Sequence, residues 1–319
     1  VITDGLDVVG FGEAMVLMQP PIGADLRSSA QLGVHVAGAE LNLCAAVARV
    51  GLAAGLCSRV GADPLGERVA DHARALGVDT GLVLVDPDHP TGLFLKDVRP
   101  DGERRVHYYR RGSAASTMDS ADARRLLAAR PAVVAVSGIT AALGPGPLRG
   151  VRTLLREARA AGTAVAFDPN LRPALGDLDG QIALARELLA SADYLLIGVE
   201  EAEAILGTAD PAAVFRAASA AGVGETVLKA GADGCYHADG DRIVHLPSAA
   251  STVVDPVGGG DAFGGGYLAA RLRGASPAGA AWLGSRLAAG VVAAAGDTDG
   301  LPDGATARAL LARVVPRKS

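Results

Sequence analysis

The segment VDPVGGGDAFGGGYLAARL, residues 254–272, sets three glycines before an acid and three more just after it. Each glycine inside a helix costs about 1 kcal/mol against alanine, so the run around Asp261 points to something that must come close to the backbone. From Ala262 onward the pattern is helical, with Phe263, Tyr267, Leu268 and Leu272 at core spacing. Gly258, Gly259 and Gly260 therefore fall at a helix N-terminus, where unpaired N–H groups and the helix dipole attract anions such as phosphate. Asp261 in the first turn has two readings. It caps the helix, or it takes a proton from a hydroxyl as that hydroxyl attacks a phosphoryl group, a general-base role worth about 10²–10⁴-fold. In the second reading the bare amides stabilise the charge on the transferred group.

Other peculiar stretches follow expected strands: FDPNLR (167–172), GVEEAE (198–203) and KAGADG (229–234). In an open parallel sheet ligands sit beyond the carboxyl ends of the strands, so these loops and VDPVGGGD fall on one edge. Competing nucleotide motifs are weak. GxxxxGK[ST] is missing, and VVGFGEAM (8–15) carries Met15 where a dinucleotide fingerprint needs its third glycine.

The elements that must position these loops alternate. Short β-branched runs at 7–11, 55–60, 133–137, 164–168, 194–197 and 226–229 predict strands. Between them, 41–50, 64–76, 149–161 and 182–190 predict helices. That order implies a three-layer α/β/α core with a mainly parallel sheet. Two segments break the rhythm. Residues 92–110 alternate around Asp101-Gly102, a hairpin signal; with residues 14–36 they would build a small β-sheet lid, all within one domain spanning 1–319. Residues 234–247 read as a second hairpin around Asp239-Gly240.

Composition narrows the classes. The 319 residues carry a net charge of −5, half are apolar and 3% aromatic, and no basic run tracks a phosphate backbone. Nucleic acid is thus not an expected partner. The longest apolar candidate for a membrane span, 280–295, is cut by Arg286. Cys44, Cys57 and Cys235 are odd in number and form no CxxC, and the six histidines show no paired spacing. Buried thiols in a reducing cytoplasm are the expectation, with neither disulfides nor a histidine-held metal. No basic region followed by an apolar one marks a secretory signal.

VDPVGGGDAFGGG resembles the C-terminal signature of the ribokinase-like (phosphofructokinase-B) sugar kinases, and AGAELNLCAAVARVG (37–51) resembles their N-terminal, sugar-binding one. The likeness runs from about residue 7 to about 305. GEAM near the start, HYYRRGSAAS (107–116), SGIT (137–140), FDPNLR and GDTDGLP (296–302) look most like kinases of 2-keto-3-deoxygluconate.

The resemblance implies a ribokinase-like fold and roles for individual residues. Asp261 matches the catalytic base and Gly258, Gly259 and Gly260 the anion hole. Lys229, Gly231 and Gly234 match the loop along ATP, with Ser285 near the adenine where relatives often have Asn. Glu201 matches the acid that organises Mg²⁺, although Gly198 stands where that motif's Asn belongs. Asp255 matches a residue that faces a monovalent cation, K⁺, in many relatives. Gly38 and Asn42 match sugar-site positions. The lid would also form a homo-oligomer interface. Arg110 and Arg172 match positions that grip a sugar acid's carboxylate, which a guanidinium fork suits; their plain alternative is surface solvation. Tyr108, on Arg110's strand face, touches the sugar or packs the lid. Asp168 and Asn170 hold the sugar-side loop, or Asp168 merely caps a strand. A kinase of neutral sugars and a sugar sensor without turnover are the rival functions.

Overall fold

A computed structural model of the chain describes residues 5–21, 24–98 and 104–316. In chain order the first elements are β1 (Val8–Phe11), β2 (Met15–Gln19), β3 (Gly33–Ala37), α1 (Ala39–Arg49), β4 (Ala54–Gly61), α2 (Pro64–Ala75) and β5 (Val78–Asp86). Next come β6 (Leu93–Val98), β7 (Arg104–Tyr109), α3 (Ser120–Ala128), β8 (Val133–Ser137), α4 (Gly138–Ala141), α5 (Pro145–Glu157), β9 (Ala164–Asp168) and α6 (Leu178–Leu189). The chain continues through β10 (Tyr194–Gly198), α7 (Val199–Leu206), α8 (Pro211–Ala220), β11 (Glu225–Lys229), β12 (Cys235–Asp239) and β13 (Arg242–Leu246). It ends with α9 (Gly259–Leu272), α10 (Pro277–Val292) and α11 (Gly304–Ala312).

The main sheet runs β13-β12-β11-β10-β9-β8-β1-β4-β5. From β11 to β5 every neighbour is parallel, and β12 and β13 extend that edge antiparallel. The expected 234–247 hairpin is therefore the margin of the main sheet. Consecutive strand residues feed opposite layers, as a period of two requires. Val8, Ala166, Leu196 and Val227 join one core with α1, α9 and α10, whereas Val9, Phe167, Leu195 and Leu228 join the other with α3, α5 and α6. Strand order reverses at β1, so the loops of both halves meet near the carboxyl end of that strand.

A separate sheet, ordered β3-β2-β6-β7, joins the two segments that break the βα rhythm. β3 and β7 pair antiparallel to their neighbours, and β2 runs parallel to β6. The Asp101-Gly102 turn lies outside the described residues.

Two expectations shift. The helix foreseen at 149–161 starts at Pro145, because first-turn N–H groups have no partner in the helix and proline there costs little; its last turn tightens into a 3-10 turn at Arg159–Ala161. β5 was not foreseen, since it is a half-exposed edge strand without continuous apolar character. Among the described residues no helix is long and apolar enough to cross a membrane. All three cysteines are free and buried.

Candidate active site

α9 begins with Gly258 as its N-cap at φ 79°, a left-handed conformation that glycine alone adopts freely. A Cβ there would lie 2.5 Å from the Asp297 carbonyl oxygen, and one on Gly259 would lie 2.6 Å from Val292 Cγ1. Gly260 differs: its Cβ would meet nothing closer than Lys229 Nζ at 3.6 Å. On the far side of the acid the helix is pressed against its neighbours. A Cβ on Gly265 would sit 2.4 Å from the Leu43 carbonyl oxygen, and one on Gly266 would sit 3.0 Å from Gly284 Cα. The second triplet thus lets α9 lie against α1 and α10.

Asp261 is partly buried and does not act as the cap. Its Oδ2 accepts a hydrogen bond from Asn42 Nδ2 at 2.9 Å, joining the first turns of α9 and α1. Burial raises its pKa from 3.8 to about 7, with Asp168 adding to the rise, while Asn42, Arg172 and Lys229 pull it back. A carboxylate that titrates there is matched to taking a proton near neutral pH.

The strand ends supply the rest. Asp168 closes β9 and accepts from Lys229 Nζ at 2.5 Å, at the end of β11. Burial opposes the Lys229 charge, but Asp168 and Glu201 outweigh it and hold the ammonium above its ordinary range. Glu201 Oε2 accepts from the Gly198 amide at 2.7 Å and Oε1 from the Leu171 amide at 2.8 Å. It therefore closes the first turn of α7, and burial followed by Asp168 raises its pKa. Gly198 crowds this cap least, since even a bare Cβ would lie 3.1 Å from Glu201 Oε2. Glu201 and Lys229, expected to face metal and nucleotide, are thus already engaged with the protein.

A trough of about 240 Å³ runs up to Gly259 and Gly260. Its lining includes Gly231, Gly234, Val253, Phe263, Ser285 and Val292. Apolar walls suit a flat purine, and bare helix amides at one end suit phosphates, so the cleft fits a nucleoside triphosphate. Ser285 Oγ accepts from the Ala249 amide at 3.1 Å, which fixes the trough's loop. Among the described residues no cluster of three or more His, Cys, Asp or Glu could hold a metal. Mg²⁺ would fit here only with phosphate oxygens and water as most of its ligands, which is its usual habit.

Towards the small sheet, Gly38 is the N-cap of α1, and a Cβ on it would stand 2.6 Å from the Glu13 carbonyl oxygen. Asp297, which sequence reasoning did not single out, places Oδ2 3.4 Å from Asn42 Nδ2. Burial raises its pKa, and the Lys96 charge opposes the rise. Oδ1 of Asn42, of Asp168 and of Asp297 are buried without a hydrogen-bond partner. Native interiors rarely tolerate such atoms, and here they flank Asp261. Asp168, Asn170 and Asp261 also share the lining of one small hollow.

The expected arginines differ from each other. Arg110 is not a solvated surface residue. It is buried against Glu13, which Nε meets at 2.6 Å and Nη2 approaches at 2.5 Å. Nη2 is close but misaligned for a hydrogen bond, so it keeps unsatisfied N–H capacity. Ser113 Oγ donates to the other Glu13 oxygen at 2.5 Å. Arg110 therefore brings little free charge, and Glu13 is a second residue the sequence reading missed. Arg172 is exposed, its backbone held by Gln181. Tyr108 packs on Phe94, with ring centroids 5.7 Å apart, under the Arg110 guanidinium. Asp255, expected to face a cation, instead takes the ammonium of Lys96 from β6.

An open α/β sheet with a glycine-rich helix N-terminus beside a partly buried carboxylate of raised pKa is an arrangement suited to phosphoryl transfer. The pfkB family carbohydrate kinase model matches residues 6–304, and the chain belongs to that family. It is a phosphotransferase acting on an alcohol group. Two curated 2-dehydro-3-deoxygluconokinases are each 33% identical to it. The one from Bacillus subtilis (strain 168) aligns over 300 residues, 93% of both chains; the one from Thermoproteus tenax over 313 residues, 96% of this chain and 94% of its own. The crystal structure of a PfkB protein from Polaromonas sp. JS666 superposes with a TM-score of 0.83 at 33% identity, covering 94% of this chain and 98% of that one.

Proposed function

We propose that the protein transfers the γ-phosphoryl group of ATP to the primary hydroxyl of 2-keto-3-deoxygluconate or a related keto sugar acid. The observation that carries this reading is Asp261, its pKa raised to about 7 and its carboxylate tied to Asn42 beside the glycine-rich first turn of α9. The names of the relatives at 33% identity support the substrate.

Asp261 removes the hydroxyl proton as the oxygen attacks, and Asn42 keeps the carboxylate oriented. Sugar hydroxyls supply partners for the orphaned oxygens of Asn42, Asp168 and Asp297. The amides of 258–260 stabilise charge on the transferred group. Glu201 is the carboxylate that would face the water shell of Mg²⁺, which would come with the triphosphate and supply neutralisation of phosphate charge. The β3-β2-β6-β7 sheet acts as the lid and excludes water, which limits ATP hydrolysis. Exposed Leu32, Val34 and Tyr109 on or beside that sheet make it the surface we assign to a second copy of the chain.

ADP release with Mg·ATP tests the reading, comparing 2-keto-3-deoxygluconate, 2-keto-gluconate, gluconate, fructose and ribose. Turnover confined to the keto acids is expected. Arg172→Ala should then raise KM for the acid about tenfold, the loss of one charge-assisted contact. A neutral-sugar kinase is the second reading, because Glu13 already neutralises Arg110; turnover with fructose or ribose instead would establish it.

A further inference from the structure

The pairing of Lys96 with Asp255 joins two parts of the molecule that are 159 residues apart in sequence. Lys96 stands on β6 of the small sheet, opposite Val106 of β7, and is 4% exposed. Asp255 lies in the loop that enters α9, three residues before the glycine N-cap. That loop is fixed from the core side, where the amides of Val254 and Asp255 donate to the Val292 carbonyl at 2.7 and 3.1 Å. The other Asp255 oxygen, Oδ1, accepts from the Val257 amide at 3.2 Å and shapes the turn into Gly258.

A carboxylate this deep needs compensating charge close by. The charge can come from a mobile ion or from a side chain, and here a side chain brings it. A monovalent cation does not fit against Oδ2 while the Lys96 ammonium holds that oxygen. Lys96 also acts on Asp297, whose carboxyl shares Asn42 with Asp261.

We propose that Lys96 is a tethered counter-ion filling the cation position beside Asp255, so that phosphoryl transfer by this protein needs no monovalent cation. The charge is carried by the small sheet. Lifting that sheet withdraws the ammonium and leaves Asp255 facing the α9 loop with that compensation removed, which ties sheet position to the state of the amides at 258–260. The inference rests on membership of the kinase family and not on which sugar is phosphorylated.

The test compares KCl with choline chloride at equal ionic strength, using the intact chain. Thermal unfolding needs no sugar, so it separates this inference from the choice of substrate. The wild type should melt at the same temperature in both salts. Lys96→Ala should melt about 2–4 °C higher in KCl, because K⁺ then enters and binds the folded state alone. With any acceptor that is turned over, Lys96→Ala should lose about tenfold or more in kcat/KM in choline and regain most of it in K⁺. Lys96→Gln, which keeps a hydrogen-bond donor, serves in the same comparison where the alanine variant does not fold. The double variant Lys96→Met/Asp255→Asn, with no carboxylate left to compensate, should respond to neither salt. Stabilisation or activation of the wild type by K⁺ overturns the proposal, as does a single variant that K⁺ leaves unchanged.

Discussion

The two glycine triplets of α9 lie on either side of one aspartate and look interchangeable as letters, yet they face different things. Gly265 and Gly266 face protein: the Leu43 carbonyl and the Gly284 backbone stand where their Cβ atoms would go. Gly258 and Gly259 face protein as well, against Asp297 and Val292. Gly260 stands apart, because a Cβ would fit there with room to spare. Nothing in the fold asks for glycine at that position. A glycine that packing does not require, in the first turn of a helix beside a poised acid, fits the role we propose for it, an amide that a ligand must reach. The difference separates residues that build the helix's seat from one that packing leaves free.

Removing the acid between the triplets should have the largest effect. Asp261→Asn keeps the shape and should cut kcat about 10²–10⁴-fold while Mg·ATP still binds, as steady-state rates and nucleotide titration would record. The same variant carries a stability signature with a defined sign. Because the folded-state pKa is raised from 3.8 to about 7, the stability Asp261 contributes is complete below pH 3.8 and is lost as pH rises through 7. Asp261→Asn should therefore melt above the wild type at pH 8, and the gap should narrow towards pH 4. In the wild type, kcat/KM should rise with pH through an apparent pKa near 7.

Gly265→Ala comes next and should damage the fold rather than the chemistry. Overpacking typically costs about 1–3 kcal/mol, and here the obstacle is a backbone carbonyl that cannot rotate away. Melting temperature should fall by several degrees, with little change in kcat for the fraction that stays folded. Gly260→Ala should show the reverse and smaller pattern. Its melting temperature should hold or rise slightly, since alanine favours a helix by about 1 kcal/mol, while KM for ATP or kcat worsens about tenfold as the methyl group crowds a phosphate oxygen. A melting loss at Gly260 equal to that at Gly265 would erase the distinction.

Local features were legible in the sequence. β-branched runs bounded by turn residues mark most parallel strands, and Gly258 through Leu272 announce a helix that opens on glycines, because each of those signals is complete within one short stretch of chain. Elements with weak local contrast were missed. β5 alternates poorly and lies at an edge, and Pro145 and Pro147 disguise the start of α5. The charged partnerships were out of reach for a different reason. Glu13 and Arg110 are 97 residues apart, and Asn42 and Asp297 are 255 apart. No spacing rule links them; only the return of the chain to one sheet edge does. Arg110 shows the cost of reading a residue type alone, since its guanidinium is genuine but its charge is already answered by Glu13.

The hydrogen bond between Asn42 and Asp261 lies in the first turns of α1 and α9, and farther along Gly265 lies against Leu43 and Ala46. The two helices thus start at the same level and run in the same direction. Side by side, their amide ends repel each other, each equivalent to roughly half a positive charge. Close packing farther down the pair holds the two ends together against that repulsion. A phosphate ester placed across both ends turns the repulsion into shared attraction, with about one full charge drawn from the main chain alone. No side-chain substitution can remove that charge, so part of the hold we propose on an anionic ligand is written into the direction of two helices.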